Sequence, residues 1–142
     1  MSVRSIVESC DHAIVSCTRQ QSVLEAAKML AEKRIGALPV LDGEKIAGIF
    51  SERDLLYCLA RDGATVLDQT VGELMTSPAI TIDRSMDALA ALSLMTKRRI
   101  RHLPVVEGER MVGFVSIGDL VKYRMDRIEE EANAMREYIT TA

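Results

Sequence analysis

The 142-residue chain contains no tryptophan, and only 4% of its residues are aromatic. Its hydrophobic core must therefore be built from aliphatic side chains and from the eight methionines. The three cysteines, Cys10, Cys17 and Cys58, include no C-x-x-C pair, which argues against a disulfide framework or a zinc site. We therefore expect reduced thiols in a cytoplasmic protein.

Long apolar runs and an excess of positive charge are also missing. No stretch approaches the length of a membrane-spanning helix, and the first residues lack the apolar run of a signal peptide. The formal net charge is −3, whereas nucleic-acid-binding domains are usually basic. We expect neither a membrane nor a nucleic-acid partner.

Catalytic groups are scarce as well. The chain has two histidines, no P-loop, and no cysteine with a partner base close to it in sequence. His12 follows Cys10 and Asp11, but three adjacent residues are too few for a ligand set, and a surface histidine is the simpler interpretation. The sequence predicts a protein that is not an enzyme and has no catalytic cofactor or metal.

What the chain does contain is an internal repeat. Residues 34–56 read RIGALPVLDGEKIAGIFSERDLL, and residues 99–121 read RIRHLPVVEGERMVGFVSIGDLV. Pro39 aligns with Pro104 and Asp54 with Asp119, at a constant offset of 65 residues without a gap. Two copies are too few for an open solenoid, so they predict a closed pair about a pseudo-twofold axis.

Each copy predicts a strand, a helix, a hairpin and a second helix. The apolar runs 13–17 and 79–82 predict the strands. Apolar residues spaced i, i+3, i+4, i+7 predict the first helices, with Ser22 and Ser85 as N-caps. Acidic-Gly turns predict the hairpins, and second helices should begin at Ser51 and Ser116.

The fold class expected is therefore α/β (α+β), with two pseudo-twofold-related β-α-β-β-α units and a C-terminal helix. Residues 1–62 form the first unit and residues 70–125 the second. Residues 63–69 form a connector, and the polar stretch 61–70 around it is predicted to be a loop. Residues 126–142 form a helical extension that could break near Ala132–Asn133 and could pack on its own unit or on a partner chain.

The end of each hairpin carries a pair of polar residues, Ser51 with Asp54 and Ser116 with Asp119. A helix N-terminus with a hydroxyl attracts phosphate, and a carboxylate one turn later can accept ribose hydroxyls. The alternative is that both pairs are capping boxes. Taken singly, each pair is more often a cap, but their duplication favours a dual role.

Each copy contains, in order, LPV, an acidic-Gly turn, Gly, two apolar residues, Ser, two residues and Asp. This repeated pattern resembles cystathionine-β-synthase (CBS) domains, paired as a Bateman module. The resemblance runs from about Ile6 to about Tyr123. In layout, the chain is similar to stand-alone CBS-pair proteins. It implies an adenosine-containing ligand, AMP or ATP first and ADP or NAD next, in the clefts between the units. The base would lie between the first strand and the residues before LPV, and the ribose at the Asp of the other unit.

Mapped residue by residue, the resemblance implies two sites. Site one would use Val15, Ile35, Ala37, Ser116 and Asp119. Site two would use Ile80, Ile100, Arg101, His102, Ser51, Arg53 and Asp54. The apolar members could equally be core residues. Arg53, Arg101 and His102 could bind phosphate or lie at the surface, and for Arg98 and Arg99 a solvated helix end is the preferred interpretation.

The sequence thus predicts a regulatory module that binds adenine nucleotides and signals energy or redox state to a protein effector. We expect a homodimer, because short amphipathic helices on a two-unit body leave apolar faces exposed. The alternative is a structural or partner-binding dimer without ligand affinity.

Overall fold

The structure is a computed structural model that describes residues 2–9 and 13–141. Cys10 and His12, and what was expected of them, lie outside the described residues. The elements, in chain order, are α1 (Val3–Ser9), α2 (Val23–Lys33), β1 (Ala37–Asp42), β2 (Lys45–Ser51), α3 (Glu52–Asp62), a 3-10 helix (Ala64–Asp68), α4 (Val71–Leu74), β3 (Ile82–Asp83), α5 (Ala88–Arg98), β4 (His102–Glu107), β5 (Arg110–Ser116) and α6 (Ile117–Thr141). The mixed α/β fold and the C-terminal helix are confirmed.

The two predicted hairpins are present and alike. β1 pairs antiparallel with β2, and β4 with β5, each with an irregularity at the same point of the repeat, after Val40 and after Val105. Gly43 and Gly108 make the turns, both with φ of 65°. Glycine is favoured there because a Cβ atom would clash in this left-handed conformation.

The hairpins join into one five-stranded sheet of order β1-β2-β5-β4-β3. The junction is short: Lys45 of β2 pairs with Arg110 of β5, and the Met111 N–H donates to the Glu44 carbonyl at 3.0 Å. Lys45 Nζ also lies 2.8 Å from Glu109 Oε2. The two halves are therefore joined in the sheet at the turn ends of their hairpins.

Each half has its own aliphatic core, and each core is completed by the short helix that precedes the other half. Val3 and Ile6 of α1 are buried in the second-half core with Leu103 and Leu120. Val71 of α4 is buried in the first-half core, which also contains Phe50 and Leu38. This exchange packs the two halves against each other.

Backbone hydrogen bonds hold the exchanged helices in place. The Val3 N–H donates to the Met86 carbonyl at 2.9 Å, and the Val71 N–H donates to the Gln21 carbonyl at 2.8 Å. Position 6 is the register equivalent of position 71. The exchange therefore follows the pseudo-twofold relation of the repeat.

Two expectations about the first strands need correction. The run 13–17 forms no extended strand, because only Cys17 pairs with the sheet edge, in a parallel bridge to Val40. The run 79–82 contributes only Ile82, which with Asp83 forms β3 beside β4. Ile82, not Ile80, is the buried member of that run.

The predicted cap Ser85 is also wrong. Asp87 caps α5, and its Oδ2 accepts the Leu89 N–H at 3.1 Å. Ser85 instead donates its N–H and its hydroxyl to Asp83 Oδ1, both at 2.7 Å. The other predicted cap, Ser22, is confirmed, since its side chain accepts the Glu25 N–H at 3.1 Å.

Two segments are more regular than expected. The predicted loop contains the 3-10 helix, because Val66 is buried at 1% exposure and fixes the connector against the body. α6 continues through Ala132–Asn133 without a break. That stretch has no glycine or proline, the residues that interrupt helices most strongly.

Candidate functional site

The Ser–Asp pairs form reciprocal caps at the starts of α3 and α6. Asp54 N–H donates to Ser51 Oγ at 3.2 Å, while Asp54 Oδ2 accepts the Ser51 N–H at 2.9 Å. The second copy repeats this: Asp119 N–H donates to Ser116 Oγ at 3.1 Å, and Asp119 Oδ2 accepts the Ser116 N–H at 2.8 Å. The capping interpretation is confirmed, and it fixes each carboxylate at a helix start.

Asp54 carries further contacts. Its Oδ2 also accepts the Ser51 hydroxyl at 3.0 Å, and its Oδ1 accepts the Thr76 hydroxyl at 3.0 Å. A carboxylate offers about four acceptor positions, so Oδ1 can still accept one more donor. The Ser51 hydroxyl proton, by contrast, is already directed at Asp54.

A cavity of about 370 Å³ lies beside Asp54, a size typical of small-molecule sites. Its wall comes from both halves of the chain. The lining residues are Gly36, Ala37, Ile49, Ser51, Glu52, Arg53, Asp54, Thr76, Pro78, Ala79, Ile80, Arg98, Arg99, Ile100, Arg101 and His102. The structure therefore brings together all seven residues of the predicted site two.

The residues of the predicted site one are not gathered at this cavity, apart from Ala37. Val15 and Ile35 are partly buried against the first-half core, and Ser116 and Asp119 cap α6. Phe114 of β5 occupies the register position of Ile49, and its ring stacks on His102 with centroids 5.5 Å apart.

Several lining residues were not predicted. Thr76, Pro78 and Ala79 come from the segment between α4 and β3, which pairs with β2 through a bridge from Thr76 to Ile49. The repeat gave no signal for Thr76, since its register equivalent is a different residue, Asp11.

Glu52, Arg98 and Arg99 also line the cavity. The basic run that continues to Arg101 was the available signal for the two arginines, although a solvated helix end was the preferred interpretation for both.

The charge of the cavity wall is mainly positive. Four arginines line it, against the carboxylates of Glu52 and Asp54. Arg53 Nη1 donates to the Arg99 carbonyl at 3.2 Å, which links the start of α3 to the end of α5. Guanidinium groups on both sides of a cleft are suited to phosphate, which they bind through paired hydrogen bonds.

His102 is an uncharged polar group at neutral pH. Burial lowers the pKa of its imidazole, and Arg101 lowers it further, against the opposing effect of Asp119 and Glu52. Its Cε1 would stand 3.5 Å from a Cβ atom built on Gly36. The ring therefore lies against the backbone of the first half without adding to the positive charge.

Other kinds of site find no support in the part of the chain that the structure describes. Residues 2–9 and 13–141 contain no group of three His, Cys, Asp or Glu side chains placed to hold a metal ion. Over the same residues, no helix combines the length and apolar character needed to cross a bilayer.

Comparison with known proteins identifies the repeat. The model of the CBS domain matches residues 3–61 and 71–126. The mitochondrial CBS domain-containing protein CBSX3 of Arabidopsis thaliana is 34% identical over an alignment 142 positions long, which covers 96% of this chain and 69% of that protein. A crystal structure of a CBS-domain containing protein from Agrobacterium tumefaciens superposes with a TM-score of 0.82 at 35% identity, covering 87% of this chain and 99% of the other.

Two further solved structures hold ligands. The CBS domain pair of protein MJ0100, in complex with 5-methylthioadenosine and S-adenosyl-L-methionine, is 27% identical, with a TM-score of 0.77, and covers 89% of this chain and 98% of that chain. CBSX2 in complex with AMP is 25% identical, with a TM-score of 0.77, and covers 88% of this chain and 96% of that chain. With both halves matched by the family model, the chain is a tandem pair of CBS domains and belongs to the CBS-domain family.

Proposed function

We propose that this chain is a regulatory module whose cavity binds an adenine nucleotide, AMP or ATP first and ADP or NAD next. The observation that carries the proposal is that seven residues assigned to one site from the sequence line one cavity, with contributions from both CBS units. Related CBS pairs hold AMP or S-adenosyl-L-methionine, which supports an adenosine-containing ligand.

The wall divides into three chemical zones. Ile80 and Ile100 offer apolar contact to the flat faces of a base. Asp54 Oδ1 is positioned to accept a ribose hydroxyl beside its bond from Thr76. The Ser51 hydroxyl is already directed at Asp54, so it is not available to donate to phosphate. The phosphate donors would instead be the guanidinium groups of Arg53 and Arg101, which can each form paired hydrogen bonds.

In this proposal the module acts by binding, not by catalysis. The cavity is lined by both units, so a bound ligand would add contacts between them. Occupancy of the cavity would in this way report energy or redox state to a protein effector. We expect this in the cytoplasm.

The homodimer stays a prediction, and the exposed apolar side chains support it. Leu24 of α2 and its register equivalent Leu89 of α5 are 41% and 52% exposed, and Leu56 of α3 and Val121 of α6 are 63% and 43% exposed. Apolar groups exposed at equivalent positions of both units indicate a shared contact face.

The test is ligand-induced stabilisation of the full chain. Thermal unfolding should be measured with AMP, ADP, ATP, NAD and S-adenosylmethionine, and a ligand at 100 times its Kd should add about 2.7 kcal/mol to the free energy of unfolding. Absence of stabilisation by every adenine nucleotide at millimolar concentration would contradict the proposal.

A matched pair of variants then locates the site. Asp54→Ala removes a charged acceptor, so nucleotide affinity should fall about tenfold or more. Asp119→Ala removes the equivalent cap at predicted site one, so a loss of affinity in Asp54→Ala alone would locate binding at this cavity. A similar cost in capping of about 1 kcal/mol is expected from both variants. If both variants bound nucleotide with the affinity of the unsubstituted chain, Asp54 would not be a nucleotide-binding residue.

The alternative function is a structural or partner-binding dimer without ligand affinity. One observation favours it: both Ser–Asp pairs serve as helix caps, so their presence does not require a ligand. The nucleotide titration separates the two functions, since a purely structural dimer would not be stabilised by any of the ligands.

A further inference from the structure

The second half of α6 extends away from the two CBS units. Leu120, near the start of the helix, is buried, and α6 contacts α1, α5 and β5. From Met125 to Thr141, every residue is exposed. These 17 residues span about 25 Å of helix, at about 1.5 Å for each residue. Exposed helices of such length are only marginally stable in water, so a partner is expected along this stretch.

An apolar seam runs along the exposed part of α6. Its members, which we call the α6 seam, are Met125, Ile128, Ala132, Met135 and Ile139. The spacing alternates between three and four residues, the heptad pattern of a coiled coil. Met125, Met135 and Ile139 are each at least 60% exposed, so the seam is not used for packing within the chain.

The charged residues beside the seam favour a second copy of this chain as the partner. In a parallel coiled coil, each residue on one flank faces the residue five positions later on the other flank of the partner helix. Here Arg124 would face Glu129 of the partner subunit, and Glu131 would face Arg136 of the partner subunit. Both pairs are of opposite charge, and the twofold axis forms each pair twice.

The antiparallel arrangement is disfavoured by the same residues. Two antiparallel registers each align four of the five seam residues. The register centred on position 130 would place Glu129 against Glu129, Glu131 against Glu131, and Lys122 against Arg136 of the partner subunit. All three pairs are of like charge, and like charges across a helix interface are destabilising. The register centred between positions 133 and 134 would keep one kind of opposite-charge pair, Glu129 with Arg136 of the partner subunit, whereas the parallel arrangement keeps two.

We propose that the α6 seam pairs with that of a second copy in a parallel, two-stranded coiled coil. The two CBS pairs would then lie at the same end of the coil, with their cavities held side by side. None of the seam residues lines the cavity, so the pairing does not depend on nucleotide binding.

A charge-swap cycle tests both the pairing and its direction. The dimer dissociation constant of the full chain should be measured by sedimentation equilibrium at low ionic strength. Glu131→Arg and Arg136→Glu should each weaken the dimer roughly threefold to tenfold, because each creates two like-charged pairs. The double variant restores opposite charges and should return to the original affinity. Tighter association of Arg136→Glu would overturn the proposal, since that is the antiparallel outcome with Lys122.

Cysteine cross-linking gives a second, geometric test. The variants are made in a Cys10→Ser, Cys58→Ser background, in which the remaining native cysteine, Cys17, is only 2% exposed and should not cross-link. Position 135 lies on the seam and faces position 135 of the partner subunit only in a parallel pair. Oxidation of Met135→Cys should therefore give a disulfide-linked dimer. The control Glu130→Cys lies on the opposite side of the helix and should stay reduced. Failure of Met135→Cys to cross-link, or equal cross-linking of the control, would overturn the parallel pairing.

The role of the seam itself is tested by Ile128→Asp. The residue is 50% exposed and outside both cores, so the variant should keep the circular dichroism spectrum of a folded chain. Its dimer dissociation constant should rise at least tenfold. A chain that is monomeric before substitution at tens of micromolar, or an Ile128→Asp dimer of unchanged affinity, would overturn the proposal.

Discussion

Gly48 lies so close to the backbone of Thr76 that a Cβ atom added to Gly48 would stand 2.7 Å from the Thr76 carbonyl oxygen. Beside it, Ile49 and Thr76 exchange two backbone hydrogen bonds, of 3.0 and 2.8 Å. Gly48 is therefore needed for the close approach of the Thr76 backbone, not for the approach of a ligand. This close approach seats the segment that contributes Thr76, Pro78 and Ala79 to the cavity wall.

The first prediction is that Gly48→Ala destabilises the chain by about 1–3 kcal/mol, because the added methyl group meets a fixed backbone atom. Urea unfolding would measure the loss. The control is Gly113→Ala at the equivalent position, where the added Cβ would stand 2.8 Å from Val7 Cγ2, a side-chain atom that can shift. Gly113→Ala should cost less, and a larger cost than that of Gly48→Ala would contradict the argument.

The second prediction separates phosphate contacts from base contacts. Arg53→Gln and Arg101→Gln should each lower ATP affinity about tenfold or more, because each removes charge-assisted hydrogen bonds to phosphate. Adenosine, which has no phosphate, should bind the variants and the original chain equally in calorimetric titrations. Arg127→Gln, on the exposed part of α6, is the matched control and should leave both affinities unchanged.

The repeat register predicts more of the fold than local motifs do. Arg34 and Arg99, 65 residues apart, both end a helix in the left-handed conformation, with φ of 53° and 55°. Ser22 and Asp87 are likewise register equivalents, and both cap the first helix of their unit. Serine is a common cap, but the register equivalent of Ser85 is Gln20, which is not, whereas the offset of 65 residues relates the confirmed cap Ser22 to Asp87.

The exchange of α1 and α4 between the halves could not be predicted from the repeat. A register relates equivalent residues, but it does not say whether a segment packs on its own copy or on the other. The apolar residues of α1 suit either core. Only the packing shows that Val3 and Ile6 complete the second half.

The candidate site was predictable where the two copies share residues, and less so where they differ. Ser51 and Asp54 followed from the repeated motif, and Arg101 and His102 from the contrast with Gly36–Ala37. Thr76 depended on the path of an irregular segment, which no periodicity describes. That the seven residues of predicted site two line one cavity depends on shape, which the sequence alone does not give.

The third prediction concerns the thiols. Burial raises the pKa of Cys17 to about 11, and its Sγ lies 3.8 Å from the Pro39 carbonyl oxygen. At pH 8 roughly one Cys17 thiol in a thousand would be a thiolate, the form that reacts. Iodoacetamide should therefore modify the half-buried Cys58 in the native chain, and Cys17 only after denaturation. Peptide mass mapping would show this, and native modification of Cys17 at the rate of Cys58 would contradict it.

The last prediction is a pH dependence of stability from His102. Because burial lowers its pKa below the ordinary value of 6.5, the unfolded chain binds a proton at this residue more readily than the folded chain. The stability that the neutral ring contributes is therefore fully present above pH 6.5. It is lost progressively as the pH falls below 6.5, until the folded ring is also protonated.

The measurement is the free energy of unfolding between pH 5 and pH 8, for the original chain and for His102→Gln. Glutamine does not titrate, so the variant should lack the part of the slope below pH 6.5 that belongs to His102. Carboxylates that titrate in the same range are common to both chains, and their effect cancels in the difference. The difference in the free energy of unfolding between the original chain and His102→Gln should therefore be constant above about pH 7. As the pH falls below 6.5, the original chain should lose stability relative to the variant. Parallel profiles throughout would show that the imidazole titrates alike in the folded and unfolded chains, which its burial beside Arg101 argues against.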